Sequence, residues 1–438
     1  MFVGRYLMGM RILVLGSGGR EHALVKSLAA SPLVDSILAA PGNGGTALER
    51  DTTNISLAIE DPAAVAAYAR DNVVDLVVIG PEVPLVAGVA DAVRAAGIPA
   101  FGPGASGARI EGSKVFSKAL MERHSIAAGR SKSFAVNERD EAYRTLELWG
   151  APIVIKADGL AAGKGVTVAM DLDTARAAVD ECFDGRFGDA GATVLVEEFL
   201  AGPECSLLAF VDGATVLPMA PAQDHKRVGE GDTGPNTGGM GVYSPVPLVS
   251  ADQYGRMVEI MQNSALAMVR EDIEYRGVLY GGFVLTEEGP KLLEFNARFG
   301  DPETQVILPR LQTDLAEVLL ACATGRLGDL DLSWSPDVAV SVVVASAGYP
   351  GEYATGRPIT GIEAAEELPG VTVYHAGTRV TDGVLVTAGG RVLNVTAVAP
   401  DFETAIQTAY AAVDRIHFDG AFARRDIGRR ALAGRTGI

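Results

Sequence analysis

Cysteine, tryptophan and histidine are scarce in this 438-residue chain, at three, two and five residues. Cys182, Cys205 and Cys322 are odd in number and far apart. That excludes a disulfide framework and a cysteine-built zinc site, and three buried thiols suit a reducing cytoplasm. Long apolar runs are missing as well. No segment holds the eighteen or so apolar residues of a membrane span, and residues 1–9 carry one arginine with too short an apolar stretch for a signal peptide, so they read as an extended start. Positive charge is the third shortage, with 37 Lys and Arg against 55 Asp and Glu, a formal net charge of −18. A nucleic-acid-binding surface needs a basic stripe, which such a balance argues against. A site for a polyanion must therefore gather its own cations against the overall field. Internal repeats and low-complexity tracts are also lacking, and the length favours two to four domains.

Glycine is plentiful, at 52 residues, and it clusters between short apolar runs. Residues 11–15, 36–39 and 75–79 read as strands, and 21–30, 62–70 and 84–96 as helices, the second opened by Asp61 as N-cap with Pro62 at the first helical position. This alternation implies a parallel sheet with right-handed crossovers. Its ligands gather at the carboxyl ends of the strands, where loops 16–22, 41–46 and 80–82 fall. A helix over 110–124 carries Lys114 and Lys118. Strands at 153–156, 166–169 and 194–198 follow, and then the polar stretch 223–243, too extended for an ordinary connection. A helix over 252–270 precedes strands at 280–285 and 291–295. Beyond Trp334 lies an α+β module with strands 338–345, 371–374 and 391–398 and a helix over 402–416.

Two glycine loops fail as familiar motifs. The 16–19 turn would need glycine at position 21 to bind a dinucleotide, where Glu21 stands. Helix amides and Arg20 would still favour an anion there, and a tight strand–helix turn without a ligand reads equally well. His22 is left unassigned. The 159–165 loop has one residue too few for a Walker A loop and Gly165 in place of Ser or Thr. Lying between two strands, it can fold over a triphosphate with backbone N–H groups, Lys156 at its base and Lys164 at its tip. The strand 194–198 and its connector, Glu197 to Leu200, can face an adenosine, with Glu197 or Glu204 accepting from ribose hydroxyls. Glu294 and Asn296 lie one strand period apart; with Leu293 and Phe295 in the core, they share the opposite face. A carboxylate and an amide oxygen together suit Mg²⁺, and Arg298 on that side can neutralise a transferring phosphoryl group. These two segments together point to ATP-dependent activation of a carboxylate. The polar groups and cations of 223–227 and 234–241 suit a phosphorylated, hydroxylated small molecule.

The segments GSGGREHAL, APGNGGTA, GPEVPLVAG, EGSKVFSK, PIVIKADGLAAGKGV, QDHKRVGEGDTGPNTGGMG, EFNARFGDPETQ, HAGT and RRDIGRRA occur in that order between Met10 and Leu432. In this the chain resembles the glycinamide ribonucleotide synthetase (phosphoribosylamine–glycine ligase) family of the ATP-grasp superfamily. The resemblance implies an α/β and α+β multidomain chain: a Rossmann-like parallel-sheet domain over 10–112, an ATP-grasp fold with its small lid subdomain over 113–202 and large subdomain over 203–335, and a small α+β domain over 336–438. It implies a cytoplasmic ligase of purine biosynthesis that joins glycine to 5-phosphoribosylamine through glycyl phosphate, with ATP as co-substrate and Mg²⁺ or Mn²⁺ as metal. Partners are these small molecules, without nucleic acid or membrane, and the chain is a monomer or weak homo-oligomer. Lys114, Lys156, Gly159, Gly163, Lys164, Gly165, Glu197, Glu198, Phe199, Leu200 and Glu204 would bind ATP. Glu294 and Asn296 would hold the metal and, with Arg298, form the catalytic set, while Gly18, Glu82, Asp224, Lys226, Gly239 and Arg298 would contact phosphoribosylamine or glycine. Two departures stand out. The run 280–285 lacks the further metal carboxylate that many ATP-grasp enzymes place there, and 418–423 lacks cysteines found in some relatives. The rival readings are an ATP-grasp carboxylate–amine ligase with another acceptor and, from a different class, a nucleotide-binding regulator without turnover; a nicotinamide dehydrogenase is disfavoured by the glycine spacing.

Overall fold

The computed structural model describes residues 9–159, 165–186 and 188–433. It begins with a five-stranded parallel sheet in the spatial order Thr52–Asn54, Val34–Pro41, Met10–Gly16, Leu76–Ile79, Ala100–Phe101. Ile12, Leu13, Val14 and Leu15 are all fully buried, as a central parallel strand covered on both faces requires. Asp61 caps the helix Pro62–Asp71 through the amides of Ala63 and Ala64. Two expected helices are each broken in two. The first divides into Glu82–Val86 and Val89–Ala95 at Gly88, whose φ of 85° is left-handed. The second divides into Ala105–Gly112 and Lys114–Arg123 at Ser113, which is extended (φ −138°) and whose Oγ accepts from Phe116 N. Apolar periodicity continues across both breaks, so it could not show them. The second break puts Lys114 at the head of a helix.

A four-stranded antiparallel sheet follows, ordered Ser131–Ala135, Thr193–Glu198, Ile153–Ala157, Val166–Ala169. The helices Arg139–Trp149 and Leu172–Phe183 cover it over a core of Phe134, Leu146, Ile155, Val179 and Val196. Another antiparallel sheet runs Thr215–Pro218, Glu204–Asp212, Arg276–Thr286, Gly289–Asn296, with the helix Ala251–Arg270 against it. Its last pair contains a bulge: Gly282 pairs with Glu294 and Phe283 with Leu292, leaving Leu293 unpaired. Leu292 and Phe295 are therefore the buried residues. The expected inward Leu293 is corrected, while Glu294 and Asn296 stay on one face because the two-residue alternation resumes after the bulge.

The stretch 223–243 is no irregular connection. Arg227–Gly229 and Thr233–Asn236 form a hairpin, and Gln223–Asp224 and Gly241–Ser244 enter the last sheet, ordered Gln223–Asp224, Gly241–Ser244, Val338–Ser346, Arg391–Ala399, Val371–His375. That sheet thus reaches across position 335. Strands of two to four residues rich in glycine and proline lack the alternation by which strands are read. His22 joins the two ends of the chain: it is buried, its Nδ1 accepts from His375 N at 2.7 Å, and Asn43 Nδ2 donates to His375 O at 2.7 Å.

Candidate active site

Three lysines gather where the antiparallel lid sheet meets the helix Lys114–Arg123. Lys156 Nζ lies 2.8 Å and Lys118 Nζ 3.4 Å from the same oxygen, Glu197 Oε2, and the three side chains are 4%, 7% and 2% exposed. Burial pushes the Glu197 carboxyl up, but the two ammonium groups outweigh it and hold it below its ordinary value. Burial also lowers Lys118 and Lys114. Lys114 Nζ donates to Gly159 O at 2.8 Å, and Asp158 accepts from Ser113 Oγ and Val115 N, so the start of the glycine loop is tied to the helix. Ala157 N donates to Gly165 O at 2.8 Å and closes the loop's base. Gly163 and Lys164, assigned to the loop from sequence, lie outside the described residues. Of the two residues expected on the ribose, Glu197 or Glu204, Glu197 is buried between Lys156 and Lys118, and Lys118 had no assigned role because a lysine within a helix carries no signal of its own. Glu198 Oε2 accepts from Arg130 N at 3.0 Å, and Phe199 and Leu200 continue from it as the connector, half-buried.

On the facing strand, Glu294 and Asn296 project beside Arg298. Arg298 Nη2 lies 2.9 Å from Glu111 Oε1 and 3.4 Å from Asn296 Oδ1, and Nε lies 3.4 Å from Glu82 Oε2. Burial opposes the guanidinium charge, and Glu111 and Glu82 hold it above its ordinary value. Glu111 itself is pushed up by burial. Its role was not legible in sequence, since Glu111 and Arg298 are far apart in the chain. Among the described residues no group of three or more His, Cys, Asp or Glu is placed to hold a metal. Glu294 and Asn296 nevertheless present a carboxylate and an amide oxygen, the donor type that Mg²⁺ or Mn²⁺ accepts.

A third group surrounds Lys226, 3.2 Å from Asp224 and 3.1 Å from Glu204. Burial opposes its charge and Asp224 overrides it, raising Lys226 well above the ordinary range. Beside them Tyr280 OH donates to Glu303 Oε1 at 3.1 Å and shares a 2.7 Å hydrogen bond with Ser206 Oγ. Burial first and Asp224 second push Glu303 up to about 7.

The amino-terminal turn completes the wall. Glu21, at the position that spoils the dinucleotide motif, accepts from Gly18 N at 2.6 Å and lies 2.5 Å from Arg20 Nε. Its carboxylate packs on Gly80, where a Cβ would have no room. Arg20 also donates to Phe299 O at 3.1 Å and is buried, so it is not the free cation expected at this turn. Asp301 Oδ2 lies 3.2 Å from where a side chain on Gly18 would begin, and it pairs with Arg391 at 3.3 Å. Arg391 also donates to the carbonyls of Gly238 (2.6 Å) and Gly239 (3.5 Å). Long-range charge joins the groups: Glu294 acts on Lys114, Lys118, Lys156 and Lys226, and Glu303 acts on Arg298.

Residues 10–111, 112–304 and 339–430 match the N, ATP-grasp (A) and C domains of phosphoribosylglycinamide synthetase. The phosphoribosylamine–glycine ligase of Agrobacterium fabrum is 52% identical over 426 residues, 97% of this chain and 99% of that protein. The crystal structure of phosphoribosylamine–glycine ligase from Thermotoga maritima superposes with a TM-score of 0.83 at 32% identity, covering 95% of this chain and all of that one. The biotin carboxylase domain of Hydrogenobacter thermophilus 2-oxoglutarate carboxylase, in complex with MgADP and bicarbonate, shares the fold at a TM-score of 0.70 and 16% identity, over 95% of this chain and 92% of that one.

Proposed function

The chain belongs to the phosphoribosylglycinamide synthetase family and is an ATP-dependent ligase joining glycine to 5-phosphoribosylamine in purine biosynthesis, and on that premise we propose which of its residues carry the reaction. A carboxylate is a poor electrophile, so the glycine carboxylate first takes the terminal phosphoryl group of ATP. The ribosylamine nitrogen then attacks the carbonyl carbon of glycyl phosphate, phosphate leaves, and the nitrogen loses a proton. No protein nucleophile is needed; alignment and charge stabilisation do the work.

Lys114 and Lys156 hold the phosphates, with Lys118 and Glu197 behind them, and the 159–165 loop covers them. The connector 197–200 faces the adenine and Glu204 the ribose. Glu294 and Asn296 would hold the metal, which would supply positive charge to offset the negative charge that develops during phosphoryl transfer. Arg298 stabilises the phosphoryl group in transfer. Gly18, Glu82, Asp224, Lys226 and Gly239 line the place of glycine and phosphoribosylamine. Mg²⁺ and Mn²⁺ both suit the two oxygens. We also propose a cytoplasmic monomer or weak homo-oligomer without nucleic-acid partners; among the described residues no helix is long and apolar enough to cross a membrane.

The observation that supports this assignment is the lysine group itself: Lys156 and Lys118 lie 2.8 and 3.4 Å from Glu197 Oε2, and Lys114 is tied to the start of the glycine loop through Gly159 O at 2.8 Å. ADP release is expected with glycine plus phosphoribosylamine and not with bicarbonate plus aminoimidazole ribonucleotide. The reverse pattern would overturn the acceptor assignment.

A further inference from the structure

Glu111 belongs to none of the groups assigned to ATP or substrate, yet both of its oxygens are committed just past the end of the strand Gly289–Asn296. Oε1 lies 2.9 Å from Arg298 Nη2, and Oε2 accepts from Ala297 N at 2.7 Å. The side chain is 7% exposed. A carboxylate that holds the guanidinium and, at the same time, the amide one residue before it fixes both ends of the arginine. The same Nη2 stands 3.4 Å from Asn296 Oδ1, so the grip extends to the amide oxygen assigned to the metal. Glu82, the other carboxylate on this arginine, is farther away at 3.4 Å and 32% exposed. Glu111 sits on the helix Ala105–Gly112, two residues before the Ser113 break that sets Lys114 at the next helix's head. One short segment therefore carries both the carboxylate that holds Arg298 and the lysine at the head of the next helix.

We propose that Glu111 is a positioning residue for the phosphoryl-transfer step, acting through Arg298 and not by touching substrate. This inference rests on the assignment of Arg298 to the transferring phosphoryl group. Glutamine at this position keeps the shape but has one accepting oxygen for two donors. Either the guanidinium or Ala297 N then faces an amide N–H, and Arg298 shifts. Displacements of about 1 Å in such alignments cost on the order of a hundredfold in rate. The effect belongs in kcat, with little change in KM for ATP, because the lysine group is untouched.

The test compares wild type, Glu111→Gln, Glu111→Asp, Arg298→Lys and the double variant Glu111→Gln/Arg298→Lys in steady-state ADP release with glycine and phosphoribosylamine, alongside MgATP binding and thermal unfolding. Glu111→Gln is expected to lose roughly tenfold to a hundredfold in kcat with unchanged MgATP binding. Glu111→Asp, which keeps the charge, should recover part of that loss, and it takes over the test should the glutamine variant not fold. In the Arg298→Lys background, Glu111→Gln should cost less than threefold, since the group it positions has been altered. A full loss in both backgrounds, or kcat equal to wild type, overturns the proposal. An inactive wild type would fail the functional assignment itself, a result visible before any variant is compared.

Discussion

Glu197→Ala tests the lysine group most directly. The wild-type carboxylate is 2% exposed and sits between two ammonium groups that are nearly as buried. Its removal leaves both lysines without an ion-pair partner among the described residues. Breaking a buried pair by deleting one partner costs about 3–5 kcal/mol; the charge of Glu294, which also reaches both lysines, favours the lower end. With a denaturant slope of ~2 kcal/mol per molar urea, that is a midpoint shift of about 1.5 M or more. Urea unfolding at neutral pH, followed through the lid tryptophan Trp149, measures it. The pH dependence has a definite sign. Glu197 is depressed in the folded protein, so its contribution is present above the ordinary carboxylate range and is lost as pH falls through the folded value. The gap between wild type and variant should therefore narrow in acid. MgATP, bringing phosphates to the same lysines, should recover part of the loss. A gap under about 1 kcal/mol at neutral pH would class the group with surface pairs and refute the reasoning.

Glu294→Ala should lower turnover by about a hundredfold to a thousandfold, the order typical of lost transition-state electrostatics, while calorimetry still detects nucleotide binding; surviving activity would dismiss the metal assignment. Glu303, raised to about 7, behaves oppositely to Glu197: it contributes stability below the ordinary carboxylate pKa that is lost as pH rises through about 7. The Glu303→Gln protein should therefore lose less stability than wild type between pH 5 and pH 8 in urea titrations, and parallel curves would contradict the placement. Asp61→Ala removes a cap bonded to two amides and should cost about 1 kcal/mol with unaltered ADP release; a fall in kcat would mean that this helix bears on the site.

The parallel sheet was legible because a buried central strand spells itself as an unbroken run such as 11–15. That Glu294 and Asn296 share one face of their strand was legible because alternation is local. The inner side was misread at Leu293, since a bulge depends on the partner strand and not on the strand's own sequence. Nothing within either segment could show that Glu111 would meet Arg298, or Lys118 meet Glu197, because these pairings are made by the fold alone. Arg20 looked like a cation for ligands and became a support, because Glu21 beside it claims the turn.

The last sheet also orders events in time. Asp224 lies on a strand that pairs with Gly241–Ser244, which in turn needs Val338–Ser346 as its neighbour. On the ribosome that neighbour emerges roughly a hundred residues later, about 5–20 s at ordinary synthesis rates. The nucleotide-binding half can take shape meanwhile, while the substrate wall waits for an edge not yet made. On the proposed assignment, a nascent chain that has passed Asn296 but not yet reached Val338 should bind ATP before it can turn ATP over, and termination between those points would leave a binder without a ligase.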